Sequence, residues 1–261
     1  MHVNRLLNHN RSLRSLEARI TETRFYAIVA CLLVFFLYLV QPWTYAPVSV
    51  LLAAIALLVG LVTVLKIGVR LSDRGSMFWF GCLLGIGLFS VANALWSAYP
   101  LLNDVASPAD GFAVTGYFVL LATALYYFVP FEEAISKKIA LFTAGVTVPL
   151  LFLIGLGAEM FRPTGPAEML VFVYPLLDVL LLMIALPILE LLSKGTFWKP
   201  YLCLFLGLVF LLIADLWSAW GDFYPPTAFT ENLWNTLYSW GYIAVALAFQ
   251  LRRDQFRRAL L

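Results

Sequence analysis

The sequence predicts an all-α membrane protein, a polytopic bundle of eight transmembrane helices arranged as two parallel four-helix repeats. Three observations carry this prediction: the composition, a series of apolar runs, and the placement of the basic residues. The chain has 261 residues, of which 62% are hydrophobic and 12% are charged. Soluble domains are about 45–50% apolar and about 25% charged. A soluble chain of this composition would have too little polar surface to present to water.

Eight apolar runs follow one another along the chain. Most approach the length of about 20 residues that a helix needs to cross the hydrocarbon core, and the first run is the shortest. Helices are required because an open sheet would leave backbone groups unpaired in lipid. The runs cover residues 26–40, 48–65, 77–98, 112–129, 139–158, 169–192, 201–220 and 233–251.

The basic residues lie on alternate connections between these runs. Of the 17 Lys and Arg residues, all but Arg162 lie on one side of the predicted bundle. Basic connections stay cytoplasmic during insertion, so we expect a cell-membrane protein with both termini in the cytoplasm. The sixteen on that side are Arg5, Arg11, Arg14, Arg19, Arg24, Lys66, Arg70, Arg74, Lys137, Lys138, Lys194, Lys199, Arg252, Arg253, Arg257 and Arg258.

The predicted division of the chain rests on an internal repeat. Residues 80–99 align with 201–220 at a constant offset of 121, and Leu-Trp-Ser-Ala recurs at the same helix end. Convergence of interface-anchored helices is the alternative to duplication. Repeats with an even number of spans are parallel and related by an axis along the membrane normal. We therefore predict a first repeat at 25–130 and a second at 131–252.

Basic tails flank the two predicted repeats, at 1–24 and 253–261. In the first tail, Leu13, Leu16 and Ile20 recur at helical spacing between arginines. This pattern fits an amphipathic helix on the anionic inner leaflet, or a solvated extension of the first span.

Two acidic residues, Asp178 and Asp215, lie well inside predicted spans and at similar depth in the outer half of the membrane. An ionised carboxylate there costs about 2.5–3.5 kcal/mol or more, so it must face the bundle, find a partner or hold a proton. Tyr174 precedes Asp178 by one helical turn and shares its face. We expect one outer-leaflet pocket containing all three, with at least one carboxyl group protonated. The alternative is a helix–helix hydrogen bond that only fixes packing.

Further polar and aromatic residues beside the two aspartates complete the predicted pocket. The top of the last span is unusually polar, which indicates either a pocket wall or an aromatic belt at the interface. The predicted ligand-binding residues are Asp178, Asp215, Tyr174, Trp217, Ser218, Asn235, Tyr238 and Tyr242.

No catalytic residue, metal site or cofactor is predicted. The only histidines, His2 and His9, lie in the N-terminal tail, and no glycine-rich phosphate loop or nucleophile motif is present. The expected partners are membrane lipids and either a separate signalling protein or a second copy of the chain, and not nucleic acid.

Three short motifs in the second half resemble a known family. They are Tyr174-Pro-Leu-Leu-Asp178, Ala214-Asp215 and Asn235-Thr-Leu-Tyr-Ser-Trp-Gly-Tyr242. The pattern is similar to the multi-pass N-terminal sensory region of bacterial and archaeal diguanylate cyclases and histidine kinases. That family usually has Tyr-Pro-x-x-Asp, Ala-Asp and Asp-x-x-Trp-x-x-Gly-Tyr. In this sequence Asn235 occupies the position of the Asp, and Tyr238 occupies the position of the Trp. The resemblance covers about residues 169–251.

The resemblance implies a sensory or signal-transducing membrane module. Members of that family continue into a catalytic output domain, whereas this sequence ends at Leu261. We therefore expect a non-enzymatic sensory or binding module that signals through a separate partner. A small-molecule or proton-coupled transporter is the alternative. A lipid-modifying intramembrane enzyme is a second alternative, since two carboxyl groups suit acid–base chemistry.

The predicted topology can be tested with a membrane-impermeant thiol reagent on intact cells. We expect Asp104→Cys and Asp222→Cys to be labelled from outside, because both positions lie on the acidic, non-basic side. Leu71→Cys and Thr196→Cys should react only after the membrane is opened. Labelling of either of these from outside would contradict the topology.

Overall fold

The computed structural model describes residues 22–23, 25–41, 45–98, 107–163, 165–193, 198–221 and 228–260. This part of the chain is helical, with no strand. Eight α-helices occur in it: α1 (Phe25–Val40), α2 (Tyr45–Ile67), α3 (Arg74–Ala98), α4 (Pro108–Phe128), α5 (Lys137–Phe161), α6 (Pro166–Ser193), α7 (Trp198–Gly221) and α8 (Ala228–Leu260). A short 3₁₀ helix, Val129–Ala134, follows α4. The basic tail at 1–24, apart from residues 22–23, and positions 104, 196 and 222 lie outside the described residues.

Six helices, α2 to α7, are long and apolar enough to cross a membrane. The prediction of an all-α, membrane-type chain is confirmed to that extent, and a count of eight spans stays a prediction. The first helix, Phe25–Val40, is apolar but shorter than the six. The last helix is long but carries buried polar side chains, among them Asn232, Asn235, Thr236 and Ser239. These side chains face neighbouring helices, which explains how a helix of lower hydropathy is accommodated in the bundle.

Six helices form a closed ring, in the order α2, α3, α4, α6, α7, α8 and back to α2. The remaining two pack against the ring from outside. Helix α5 contacts α6. Helix α1 contacts α8, where the Tyr38 and Ser239 hydroxyl groups lie 2.8 Å apart and Trp240 Nε1 donates to the Cys31 carbonyl at 2.9 Å. The ring therefore has an interior that neither α1 nor α5 enters.

Glycine pairs bring two sets of ring helices into backbone contact. A Cβ atom at Gly116 would lie 3.3 Å from the carbonyl oxygen of Gly85, between α4 and α3. A Cβ atom at Gly207 would lie 3.2 Å from the carbonyl oxygen of Gly241, between α7 and α8. Small residues at helix crossings permit this close approach in membrane bundles. The α3–α4 and α7–α8 pairs are thus packed in the same manner.

One end of the ring is filled by an aromatic core. Phe78, Trp79, Tyr127, Tyr201 and Phe249 are buried there and pack on one another, with ring centroids 4.8–5.9 Å apart. At this end α2, α4 and α6 finish and α3, α5 and α7 begin, so it carries most of the described basic residues. We call it the basic end, and the opposite end the cavity end. The basic residues thus gather at the end of the bundle that the sequence predicts to face the cytoplasm. Which end faces the cytoplasm in a cell stays a prediction.

Candidate functional site

A cavity of about 680 Å³ lies inside the ring at the cavity end. Its walls come from all six ring helices, and among the described residues neither α1 nor α5 contributes to the lining. Ile86 and Val245 line the cavity and belong to the same buried cluster as the aromatic core, so this core lies beneath the floor of the cavity. Closure of the ring, rather than any single helix, therefore creates the site.

Two carboxyl groups meet beside the cavity under one tyrosine. Tyr117 Oη, on α4, lies 2.9 Å from Asp178 Oδ1 on α6 and 3.1 Å from Asp215 Oδ2 on α7. Tyr238, on α8, donates a hydrogen bond to Asp215 Oδ1. Asp215 lines the cavity, whereas Asp178 is fully buried behind it. This carboxyl pair and its two tyrosines join four ring helices in a single hydrogen-bonded group.

The hydrogen bonds around the carboxyl pair require one more proton than the tyrosines supply. Tyr117 Oη lies within hydrogen-bonding distance of one oxygen of each carboxyl group. An ionised carboxylate only accepts, and a phenol donates one proton. Asp178 Oδ2 is also buried and has no hydrogen-bond partner among the described residues. A proton on either carboxyl group, donated to Tyr117 Oη, would complete the second contact.

A third acidic side chain, Asp110, lies at the mouth of the cavity, at the start of α4. Asp110 Oδ2 accepts hydrogen bonds from the backbone N–H of Ser107 at 2.6 Å and from its hydroxyl at 3.0 Å. These bonds hold the first turn of α4 and suit an acid near a helix N-terminus. Asp110 Oδ1 accepts a hydrogen bond from Tyr174 at 2.6 Å. Tyr174 therefore connects α6 to the mouth.

The predicted site residues divide into three groups. Tyr174, Asp215, Ser218, Asn235, Tyr238 and Tyr242 line the cavity, and Asp178 is linked to this set through Tyr117. Trp217 does not line the cavity, and its side chain is 39% exposed on the outer face of α7. Residues two positions apart on a helix point in different directions, so Asp215 and Trp217 cannot share one face. Whether these residues bind a ligand stays a prediction.

The first half of the chain contributes more to the site than the sequence predicted. Asn93, Tyr45, Trp96, Asp110 and Tyr117 line the cavity, and none was among the predicted binding residues. At the repeat offset of 121, the positions equivalent to Tyr174, Asp178 and Asp215 are Ala53, Leu57 and Ala94, so the first half offers no acidic counterpart there. The match of Gly116-Tyr117 with Gly241-Tyr242 was the available signal for Tyr117.

The cavity is acidic and aromatic. Asp110 and Asp215 line it, and no Lys, Arg or His occurs among the described lining residues. In the described ranges, no group of three or more His, Cys, Asp or Glu residues is arranged to hold a metal ion. Comparison of the sequence with family models and curated proteins, and of the fold with solved structures, found no match.

Removal of the bridging hydroxyl should destabilise the bundle. In Tyr117→Phe the carboxyl pair loses its shared partner, and a buried group left without a hydrogen bond costs about 1–3 kcal/mol. We expect a lower melting temperature in detergent. Tyr126→Phe on the same helix is the matched control, because Tyr126 is 44% exposed. Equal melting temperatures for the two variants would show that the bridge contributes no stability.

Proposed function

We propose that this chain is a non-enzymatic sensory module of the cell membrane that binds a small ligand in the ring cavity. The observation that carries the proposal is a cavity of about 680 Å³, lined from six helices, with a buried carboxyl pair at its wall. Pockets for small molecules are typically about 300–1,000 Å³ and mostly apolar, with a few placed polar groups. Ionisable residues inside a membrane segment mark functional sites by default.

The proposed topology has eight spans, two parallel repeats and both termini in the cytoplasm. The repeat is supported by helix pairing, because α2–α3, α3–α4 and α8–α2 correspond to α6–α7, α7–α8 and α4–α6. The position of α1 against the ring supports an eighth span despite its length. The concentration of Lys and Arg at the basic end supports the orientation.

A sensory role is supported by the resemblance to kinase and cyclase sensory regions, and by the shape of α8. This helix has 33 residues, which is about 50 Å at 1.5 Å per residue and exceeds the hydrocarbon thickness of about 30 Å. Tyr238 and Tyr242 of α8 line the cavity, and its last turns carry Arg253 and Arg257. A rigid helix from cavity to basic end offers a direct route from ligand to a separate signalling partner.

A proton-coupled carrier is the second candidate. The carboxyl pair beside the cavity favours it, because intramembrane carboxyl groups form proton relays in transporters. The floor of the cavity argues against it, since the aromatic core separates the cavity from the basic end. Transport would therefore need this core to open.

Ligand binding can be tested by thermal shift in detergent with a library of amines, carboxylates, sugars, nucleosides and quinones. We expect at least one class to raise the melting temperature of the unmodified protein. Ser218→Trp should abolish the shift, because Ser218 lines the cavity and the indole would fill it. Ser193→Trp, at the exposed basic end of α6, should retain it. A shift that survives Ser218→Trp, or no shift with any class, would contradict the proposal.

The same ligand separates a sensor from a carrier. A fluorophore attached at Arg257→Cys reports movement at the end of α8, and proteoliposome uptake reports transport. A sensor requires a fluorescence change without uptake. Uptake that collapses on removal of the pH gradient would favour the carrier instead.

A further inference from the structure

We propose that the cavity takes a small organic ammonium ion bearing a hydrogen-bond acceptor, and that its positive charge replaces a proton carried by the Asp178–Asp215 pair. The inference rests on the proposed ligand-binding function and names the chemical class of the ligand. It stands on the shape and lining of the cavity, the two carboxyl groups that contact one tyrosine hydroxyl, and one unpartnered amide.

The acidic lining of the cavity favours a positively charged ligand. Asp110 and Asp215 line it, Asp178 lies directly behind Asp215, and the described lining contains no basic side chain. A carboxylate pair without a nearby cation is unfavourable in a low-dielectric interior. A proton compensates the charge in the empty site, and a bound cation would compensate it in the occupied one.

The aromatic side chains of the lining favour an organic cation over a metal ion as the ligand. Trp96, Tyr174, Tyr117 and Phe89 contact in series, with centroid separations of 6.2, 6.1 and 4.9 Å. Aromatic faces attract alkylammonium groups and form the cages that bind quaternary ammonium ligands. Alkali and alkaline-earth ions require several oxygen ligands in direct contact. The cavity volume also exceeds what a bare ion fills.

An unpartnered donor indicates that the ligand also carries an acceptor. Asn93 lines the cavity, is 7% exposed, and its Nδ2 has no hydrogen-bond partner, although Tyr242 lies beside it. Its Oδ1 accepts from Ser49 at 3.3 Å, which leaves the N–H₂ group for another partner. Buried amide donors are costly when unpaired, so a ligand hydroxyl or carbonyl would complete this group.

Exchange of a proton for a cation makes binding depend on pH. The ionisable groups that face the carboxyl pair are Tyr117 and Asp110 on α4, Tyr174 on α6, Tyr238 and Tyr242 on α8, and Tyr45 on α2. No charged side chain of α3 lines the cavity. Asp110 already accepts hydrogen bonds from Ser107 and Tyr174, whereas the carboxyl pair shares a single phenol donor at Tyr117. The pair is therefore the group that exchanges the proton, and raising the pH removes the competitor. One exchanged proton gives about tenfold tighter binding per pH unit.

The test uses three probes on the full chain in detergent. Choline carries a positive charge and a hydroxyl group, and tetramethylammonium carries the positive charge alone. The third probe, 3,3-dimethyl-1-butanol, has the shape and the hydroxyl group of choline but no charge. Isothermal titration at pH 6, 7 and 8, in buffers of different ionisation enthalpy, gives affinity and protons released. We expect choline to bind more tightly than tetramethylammonium, the neutral alcohol to bind at least about tenfold more weakly, and about one proton to be released.

Asp215→Asn should abolish the proton release and weaken choline binding by about tenfold to a hundredfold. Glu159→Gln is the control, since the Glu159 side chain is 78% exposed on α5. The comparison of choline with its neutral isostere uses the unmodified protein, so it tests the inference even if the Asp215→Asn variant does not fold.

Equal binding of choline and its neutral isostere would overturn the inference, as would binding of Na⁺ or K⁺ alone. If neither ammonium probe binds while another library class binds in a manner sensitive to Ser218→Trp, the cation assignment fails and the sensory module stands. If no compound binds at all, both proposals fail.

Discussion

The pairing of Asp178 and Asp215 on the Tyr117 hydroxyl group is the constraint on which the rest of the bundle depends. It joins α4, α6 and α7, and Tyr238 adds α8. Buried carboxyl groups are tolerated only when hydrogen bonds and protons compensate for lost hydration. The four helices must therefore keep their relative depth and rotation to satisfy one small polar group. This requirement specifies the cavity end far more strictly than apolar packing in lipid does.

Around this group, two kinds of packing hold the ring closed. Backbone contacts at Gly85–Gly116 and Gly207–Gly241 fix the α3–α4 and α7–α8 pairs, and the aromatic core fills the basic end. The ring is therefore tightly packed at the basic end and holds a polar cavity at the other end. A ligand in this cavity would contact α8, whose last turns lie at the basic end. The same geometry that creates the cavity thus links it to the opposite end of the bundle.

The sequence predicted the class of fold and part of the site for identifiable reasons. Apolar runs predict helices, and counting residues along them gives the depth of Asp178 and Asp215, so the sequence could predict that the two lie at the same level. The sequence could not predict which face of each helix points toward its neighbours, because apolar residues in a membrane protein contact both lipid and other helices. Trp217 was therefore assigned to the pocket although it lies on the outer face. Tyr117 was missed because its partners lie on helices 61 and 98 residues away in sequence.

The most direct test of this account is the protonation state of the carboxyl pair at neutral pH. Infrared spectroscopy of the detergent-solubilised protein reports the C=O stretch of a protonated carboxylic acid separately from carboxylate bands. We predict a protonated-acid band that disappears in both Asp178→Asn and Asp215→Asn, because the amide supplies the missing donor and leaves the other carboxyl ionised. Absence of the band in the unmodified protein, or its persistence in both variants, would contradict the shared proton.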